Sequence, residues 1–421
     1  MIYKLTLKQD HAQNFILNNL ETQTTQPKFV TRAGRFETQP EGYRAFLPAP
    51  LPPEPPVTRD PELDALLSKA DLALGRLDGC ASILPNPDFF VAMYVRYEAV
   101  LSSQIEGTQS TLEDLLAFES EGNDVTKDVA EVVNYVSAMN HGLKRLPELL
   151  LSLRLIREIH AELLRDGRGS RFEAGVFRTS QNWIGAPGCT IMTAAYVPPP
   201  VHELLPALGE FEKFLHSEAP MPTLLQCGLA HAQFESIHPF LDGNGRVGRL
   251  LITFLLCQRG VLHKPLLYLS HYFKQHRAEY YDRLMAVRLS GHWEECLKFF
   301  LRGVVEVSAA ATQTARSILT LREASRQTII ASLNNSTAGL ELLDYLFVSP
   351  LLSIKAVQAK LDCSYVKANK LVLEFARLGL LEETTGWQRN RRFRFKAYLD
   401  LFDTGPIALL EPTTEPAPPD A

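Results

Sequence analysis

IHPFLDGNGRVGRLL, residues 237–251, places a histidine, an acid, an asparagine, three glycines and two arginines in one short window. A hydrophobic core has little use for that mixture, and the flanks say how it is held. Upstream, PTLLQCGLAHAQFESI (222–237) has helical period, and Pro239 then disfavours helix at His238. Downstream, VGRLLITFLL (247–256) reads as a second helix. The window is therefore a glycine-rich turn between two helices, and the fold built round it is expected to be mainly α.

Three chemistries compete for these residues. Gly243, Gly245 and Gly248 spell G-x-G-x-x-G, but a dinucleotide loop needs a preceding strand, and the preceding stretch is helical. His231, Glu235 and His238 fall at spacings of four and three, with Asp242 following, as a zinc stripe would. Pro239 breaks that face, which leaves His231 as a packed histidine and Glu235 as a hydrogen-bonding partner. The third reading uses every residue. Glycines let backbone N–H groups crowd round an anion. The following helix N-terminus adds about half a positive charge, and Arg246 and Arg249 add full ones. That is a polyphosphate cradle. Asp242 at its mouth can hold Mg²⁺, and His238 can take a proton from an incoming hydroxyl.

Outward from the window the chain divides. Residues 1–59 read as an irregular segment ending in the proline-rich strap FLPAPLPPEPP (46–56). Asp60 and Pro61 then supply an N-cap and a first helical residue, and helices dominate to residue 308. One stretch interrupts them: residues 176–199 are β-rich, with Gly-Ala-Pro-Gly between two short strands, and read as a projecting hairpin. Residues 309–338 read as a connecting helix. Residues 339–400 read as helix, strand, helix, turn, helix and β-ribbon, the order of a winged helix-turn-helix. The acidic tail, 401–421, has the composition of a disordered segment.

Bulk properties narrow the classes. At 46% hydrophobic residues the chain has ample core material, and its net charge of -5 gives no overall basic field for nucleic acid. Six scattered cysteines without a CxxC pair suit reduced thiols. The first residues, MIYKLTLKQD, lack a signal pattern, and the apolar run LLITFLLC falls far short of the roughly 20 residues that span a bilayer. A cytoplasmic protein without membrane partners is expected.

HPFLDGNGRVGR (238–249) resembles, without a gap, the Fic family signature H-x-F-x-[DE]-G-N-G-R-x-x-R. The hairpin FRTSQNWIG…YVPPP looks like that family's flap, and SSQIEGT (102–108) like its inhibitory helix, at about residues 90–107. With the strap and the terminal winged helix, the likeness covers most of the chain and is similar to longer bacterial Fic proteins whose inhibitory helix precedes the core.

The resemblance implies protein AMPylation: AMP passes from ATP to a Ser, Thr or Tyr hydroxyl of a protein, this one included, with release of pyrophosphate. It implies His238 as general base, Phe240 as the packed residue that fixes the loop, and Asp242 as Mg²⁺ ligand. Asn244 and the Gly243 and Gly245 backbone would line an anion hole for the α-phosphate, and Arg246 and Arg249 would meet the β- and γ-phosphates. Ser102, Glu106 and Gly107 match the inhibitory pattern, with Glu106 paired to Arg249 and able to serve a reverse, AMP-removing reaction. Trp183, Ile184 and Gly185 would form the edge on which a target segment docks.

The winged helix leaves two uses open. Lys367, Lys370 and Arg377 on its candidate recognition helix, with Arg389, Arg391, Arg392, Arg394 and Lys396 round the wing, can form a DNA footprint. They can equally serve protein contact or a homodimer, which is the expected assembly. A nucleotide-sensing DNA-binding regulator is the alternative to the transferase.

Overall fold

The structure is a computed structural model that describes residues 30–82, 87–121, 126–165, 173–334, 336–386 and 390–403. It is mainly helical, with two small sheets. The first is a departure from the sequence reading. Residues 30–48 are not irregular but form an antiparallel sheet of β1 (Val30–Thr31), β2 (Gly34–Thr38) and β3 (Arg44–Pro48), in that spatial order. The strands are too short to show alternation, and tertiary contacts hold them. Phe46 is buried between Phe36 and Tyr196, at ring distances of 5.0 and 6.2 Å, and its N–H donates to Val197 O at 2.9 Å. The proline-rich strap follows, and Arg32 Nη1 donates to the Pro56 carbonyl at 3.1 Å.

The helical body begins where the cap signal places it. Asp60 Oδ1 accepts from Leu63 N–H at 2.8 Å, at the start of α1 (Pro61–Ser82). There follow α2 (Pro87–Ile105), α3 (Leu112–Glu121), α4 (Lys127–Leu149) and α5 (Leu153–Leu163). After the flap come α6 (Val201–Leu215), α7 (Thr223–Ile237), α8 (Asn244–Gln258), α9 (Ser270–Gln275), α10 (Arg277–Ser290) and α11 (Trp293–Ser332). Every residue of α7 from Leu224 to Ile237 is buried, so this helix runs through the middle of the body, as one apolar on all sides must. Its neighbours α6, α8, α10 and α11 wrap it, and α11 lies along α1. Buried Phe211 of α6 meets Phe234 of α7 at a ring distance of 5.9 Å, and Phe254 of α8 packs on Gly142 of α4; cutting any one to alanine would cost about 3–5 kcal/mol.

The flap is less regular than a two-stranded hairpin. Its arms meet in one antiparallel bridge, Ile184 with Tyr196, and its tip is a short 3₁₀ turn at Ile191–Thr193. Of the segment expected to be a separate connecting helix, 309–338, residues 309–332 are instead the later part of the 40-residue α11, and Thr337 already begins the next helix.

Beyond it lie α12 (Thr337–Leu346), β4 (Leu351–Ser353), α13 (Ile354–Lys360), α14 (Tyr365–Arg377), β5 (Glu382–Glu383), β6 (Arg392–Arg394) and α15 (Lys396–Asp403). Sheet order is β4-β6-β5. Ser336, Ser353 and Ser364 cap the three helices that follow them. This part is packed on the body. Phe402 meets Tyr94 and Tyr97 of α2 at ring distances of 5.5 and 5.9 Å, and Arg394 donates to Glu113 of α3 at 2.9 Å.

Many of its cations are held by nearby acids. Arg377 pairs with Glu374 at 3.0 Å, Arg391 with Glu383 at 3.7 Å, Arg394 with Glu382 at 3.1 Å and Lys396 with Asp400 at 2.6 Å. Lys367 and Lys370 are exposed on α14, beside exposed Tyr365, Val366 and Leu373. Arg389, the first 29 residues and the acidic tail from residue 404 lie outside the described residues. Among the described residues no helix is long and apolar enough to cross a membrane.

Candidate active site

The loop between α7 and α8 is set by its backbone. His238 closes α7 in the left-handed region (φ 50°, ψ 61°), with its N–H on Phe234 O at 2.9 Å; Pro239 prevents the helix from continuing. Gly243 caps α8 at φ 77°, a conformation that suits glycine. Between them the loop is tied shut by Asn244. Its Oδ1 accepts from Phe240 N–H and its Nδ2 donates to Phe240 O, both at 2.8 Å. The Asn244 amide is thus engaged by the loop, so its part in any cradle is to hold the shape that aims the backbone N–H groups. Asn244→Ala would leave a buried Phe240 N–H without this acceptor. We expect unfolding free energy to fall by about 1–3 kcal/mol, read by denaturant titration.

Three residues that the sequence reading did not assign brace the same loop. Arg178 donates from Nε to His238 O at 3.1 Å, and its N–H reaches Pro239 O at 2.9 Å. Asn182 Nδ2 donates to Phe240 O at 2.8 Å. His160 stacks on Phe240 with ring centroids 3.6 Å apart and planes 5° off parallel. Gly175 N–H donates to His160 Nδ1 at 2.9 Å, so Nε2 carries the hydrogen and donates to Asp242 O at 3.0 Å. Burial holds His160 down to about 4, which keeps that tautomer neutral at pH 7. Phe240 is fully buried.

His231 and Glu235 belong to the packing beneath. His231 Nδ1 is 3.0 Å from Gly248 O and Nε2 is 2.8 Å from Tyr280 Oη, so both nitrogens are engaged. Glu235 is buried one turn before His238 and pushed up to about 7, first by burial; Arg249 opposes the rise and Glu106 adds to it.

The charged residues gather at the N-terminus of α8. Arg246 lies between two acids, 3.6 Å from Glu131 and 3.6 Å from Asp242. Arg249 donates from Nε to Ser102 Oγ at 2.8 Å, and from Nη2 to Ser102 O at 3.0 Å and to Glu106 Oε1 at 2.8 Å. Its side chain is 2% exposed and that of Glu106 is 13% exposed. Burial is the largest single influence on Arg249 and lowers it, but the Glu106 carboxylate, with Tyr280 and Tyr281 adding to it, holds the guanidinium above its ordinary range. Gly245 allows that approach: a Cβ there would stand 2.3 Å from Glu106 Oε1. Glu106 itself stands one residue past the end of α2, and Gly107 at φ 95° turns the chain away.

A cleft open to solvent lies above these groups. Ile184, Gly185 and Tyr196 of the flap, Tyr280 and Tyr281 of α10, and Glu106, His238 and Arg249 line it. The Trp183 indole donates back to Cys189 O at 3.3 Å, so it braces the flap. His238 Nδ1 has no hydrogen-bond partner among the described residues. Burial pushes His238 down to about 3, with Arg288 and Arg178 adding to the effect. The imidazole is neutral at pH 7 and offers a lone pair.

Two arginines at a helix N-terminus, a neutral histidine and two acids thus lie close together, and this part of the chain resembles known proteins. Residues 65–144 match the sequence profile of the Fic/DOC family N-terminal domain, and residues 150–256 that of the Fic/DOC family. Over 179 residues the chain is 31% identical to the protein adenylyltransferases Fic of Drosophila ananassae and of Aedes aegypti. That covers 42% of this chain and 32% of each relative, so the match spans about a third of those proteins' length. In fold, the chain is similar to the crystal structure of a Fic family protein from Desulfovibrio desulfuricans G20, with a TM-score of 0.52 at 18% identity, over 81% of this chain and 97% of that one. Between residues 65 and 256, this chain carries a Fic/DOC family N-terminal domain followed by a Fic/DOC family domain.

Proposed function

We propose that this chain is an auto-inhibited protein adenylyltransferase. One observation carries the reading: a neutral, buried His238 with a free lone pair shares a cleft with Arg249 at the α8 N-terminus, and Glu106 is lodged on that arginine. The histidine suits a base and the arginine a phosphate partner; the glutamate competes for the phosphate's place.

The hydroxyl oxygen of a Ser, Thr or Tyr on the target attacks the α-phosphorus of ATP. The bond from that phosphorus to the bridging oxygen of the β-phosphate breaks, and pyrophosphate leaves. The hydroxyl proton passes to the neutral His238 imidazole. With polyphosphate in the cradle, added negative charge raises His238 from its depressed value toward a useful base. Backbone N–H groups of Asn244 and Gly245 at the α8 N-terminus face the α-phosphate, and Arg246 and Arg249 hold the β- and γ-phosphates. The flap edge at Ile184 and Gly185 registers an extended target segment over His238. In the reverse direction, the Glu106 carboxylate orients a water that removes AMP.

Mg²⁺ fits this site. The Asp242 carboxylate is partly exposed at the mouth, its Oδ1 accepting from Gly243 N–H at 2.6 Å, and a hard oxygen donor suits that cation. Bound there with ATP, the ion would neutralise charge building on the departing pyrophosphate. Asp242→Ala should shift the Mg²⁺ titration of AMP transfer to higher concentration and flatten it. An unchanged titration curve would remove Asp242 from that role.

We divide the chain as an N-terminal sheet and strap to residue 59, a catalytic core over 60–308, a linking helical stretch over 309–338, a winged helix over 339–400 and a tail. The winged helix reading is supported by its element order and its β4-β6-β5 sheet. Of its two uses we favour protein contact, including a homodimer, over DNA. Arg377, Arg391, Arg394 and Lys396 face acids that a nucleic acid would have to displace, and apolar Val366 and Leu373 are exposed beside Lys370. Incubation with ATP, Mg²⁺ and a host lysate separates the readings. Covalent label on protein supports the transferase, and ATP-dependent DNA binding without label supports the regulator.

A further inference from the structure

One carboxylate oxygen joins the two halves of the site. Glu131 Oε2, on α4, accepts from Thr108 Oγ1 at 3.1 Å and lies 3.6 Å from Arg246 Nη1. The Glu131 side chain is 11% exposed and Thr108 is buried, so water competes little for these contacts. Thr108 stands two residues past Glu106. Its N–H donates to Ser103 O at 3.2 Å, the same carbonyl that accepts from Glu106 N–H at 3.1 Å. The next residue is fastened to α4 as well, since Gln109 N–H donates to Asp128 Oδ2 at 2.8 Å.

The segment that carries Glu106 is therefore fixed from both sides. On the α2 side it hangs from the Ser103 carbonyl. On the other it is laced to α4, and Arg246 stands beside the carboxylate that does the lacing. A glutamate just past a helix end, next to a left-handed glycine, has no helix of its own to fix its position.

We propose that Thr108 and Glu131 are positioning residues that seat Glu106 on Arg249. This rests on the reading of Glu106 as the inhibitory group. Through them the second cradle arginine, Arg246, also supports the inhibited arrangement, so both arginines that would receive phosphates are engaged by acids before ATP arrives.

The test uses full-length Thr108→Val, which keeps the branched shape and removes the hydroxyl. KM for ATP in AMP transfer and Kd for Mg·ATP by equilibrium titration should both fall about two- to tenfold, the effect expected of one buried hydrogen bond. kcat should move less. Thr108→Ser, which restores the donor, should return both constants to the wild-type values. In a Glu106→Gly background Thr108→Val should change nothing, because the group it seats is gone.

The proposal and the reading beneath it fail differently. If Glu106→Gly raises transfer while Thr108→Val behaves as wild type, the brake stands and its seating by Thr108 is refuted. If Thr108→Val has the same effect in both backgrounds, it acts elsewhere and the proposal falls. Without any gain from Glu106→Gly, the inhibitory reading falls and the proposal with it. Should Thr108→Val melt well below wild type, the comparison of Glu131→Ala with Glu131→Gln decides. Gln keeps an acceptor for Thr108 and Ala does not, so only Ala should lower KM and Kd in a way that Glu106→Gly abolishes. Equal dependence on Glu106 in the two would overturn the proposal.

Discussion

Glu106→Gly should raise AMP transfer about 5–150-fold, the range for a coupling of roughly 1–3 kcal/mol. Glu106 accepts one of the three hydrogen bonds that Arg249 donates; Ser102 takes the other two, through its hydroxyl and its carbonyl. Removing the carboxylate leaves Arg249 held at the cleft by Ser102. Part of the Coulomb attraction in such a shielded pair is cancelled by desolvation, which keeps the expected coupling within a few kcal/mol. The phosphate cradle stays whole. AMP removal should fall in the same variant, because the carboxylate that would orient water is gone. General destabilisation does not move two activities in opposite directions. Assay of both reactions on one target checks this; forward transfer no faster than wild type would reduce residues 102–107 to a helix end.

His238→Ala should lower transfer by about 10²–10⁴-fold while Mg·ATP binding stays near normal. The side chain faces the cleft, but the loop is held by other groups. Arg178 and Asn182 bond to the backbone carbonyls of His238 and Phe240, and Asn244 closes the turn. Alanine can keep these backbone contacts, although it must adopt the left-handed conformation. The variant should therefore bind nucleotide and lack only the base. Single-turnover transfer beside equilibrium ATP titration separates the two effects. Undiminished transfer would take histidine out of the mechanism.

Both predictions rest on a site whose core was legible because it is contiguous. His238, Asp242, the glycines and the two arginines lie within a dozen positions, and the helix on each side shows in the apolar period. The groups that brace them are not contiguous. Arg178 acts on a carbonyl 60 residues away, His160 on one 82 away, and Ser102 on an arginine 147 away. No spacing rule reports such pairs, and a lone histidine on an apolar helix face, as at His160, looks like ordinary packing.

The same logic explains the fold. Asp60 announces α1 through a local hydrogen bond, and the serines at 336, 353 and 364 announce their helices likewise. The sheet at 30–48 has no local signal, because its strands run two to five residues and Phe46 docks on Tyr196, which is far along the chain. Charge misleads in a related way. A run such as RNRRFRFK displays its cations in sequence, but Glu113, which takes Arg394, is 281 residues distant.

If His238 and the α8 N-terminus act as proposed, the AMP moiety of ATP ends on a protein hydroxyl. The most direct measurement compares two labels on the full-length Glu106→Gly protein, incubated with Mg²⁺ and a protein acceptor. With label at the α-phosphate, acid-stable radioactivity should appear on protein with a mass increase of one AMP, and the signal should be lost in Glu106→Gly/His238→Ala. With label at the γ-phosphate, protein should stay unlabelled and the pyrophosphate should carry the label. Label carried onto protein from the γ-phosphate, or α-label transfer that survives without His238, would overturn the transferase reading.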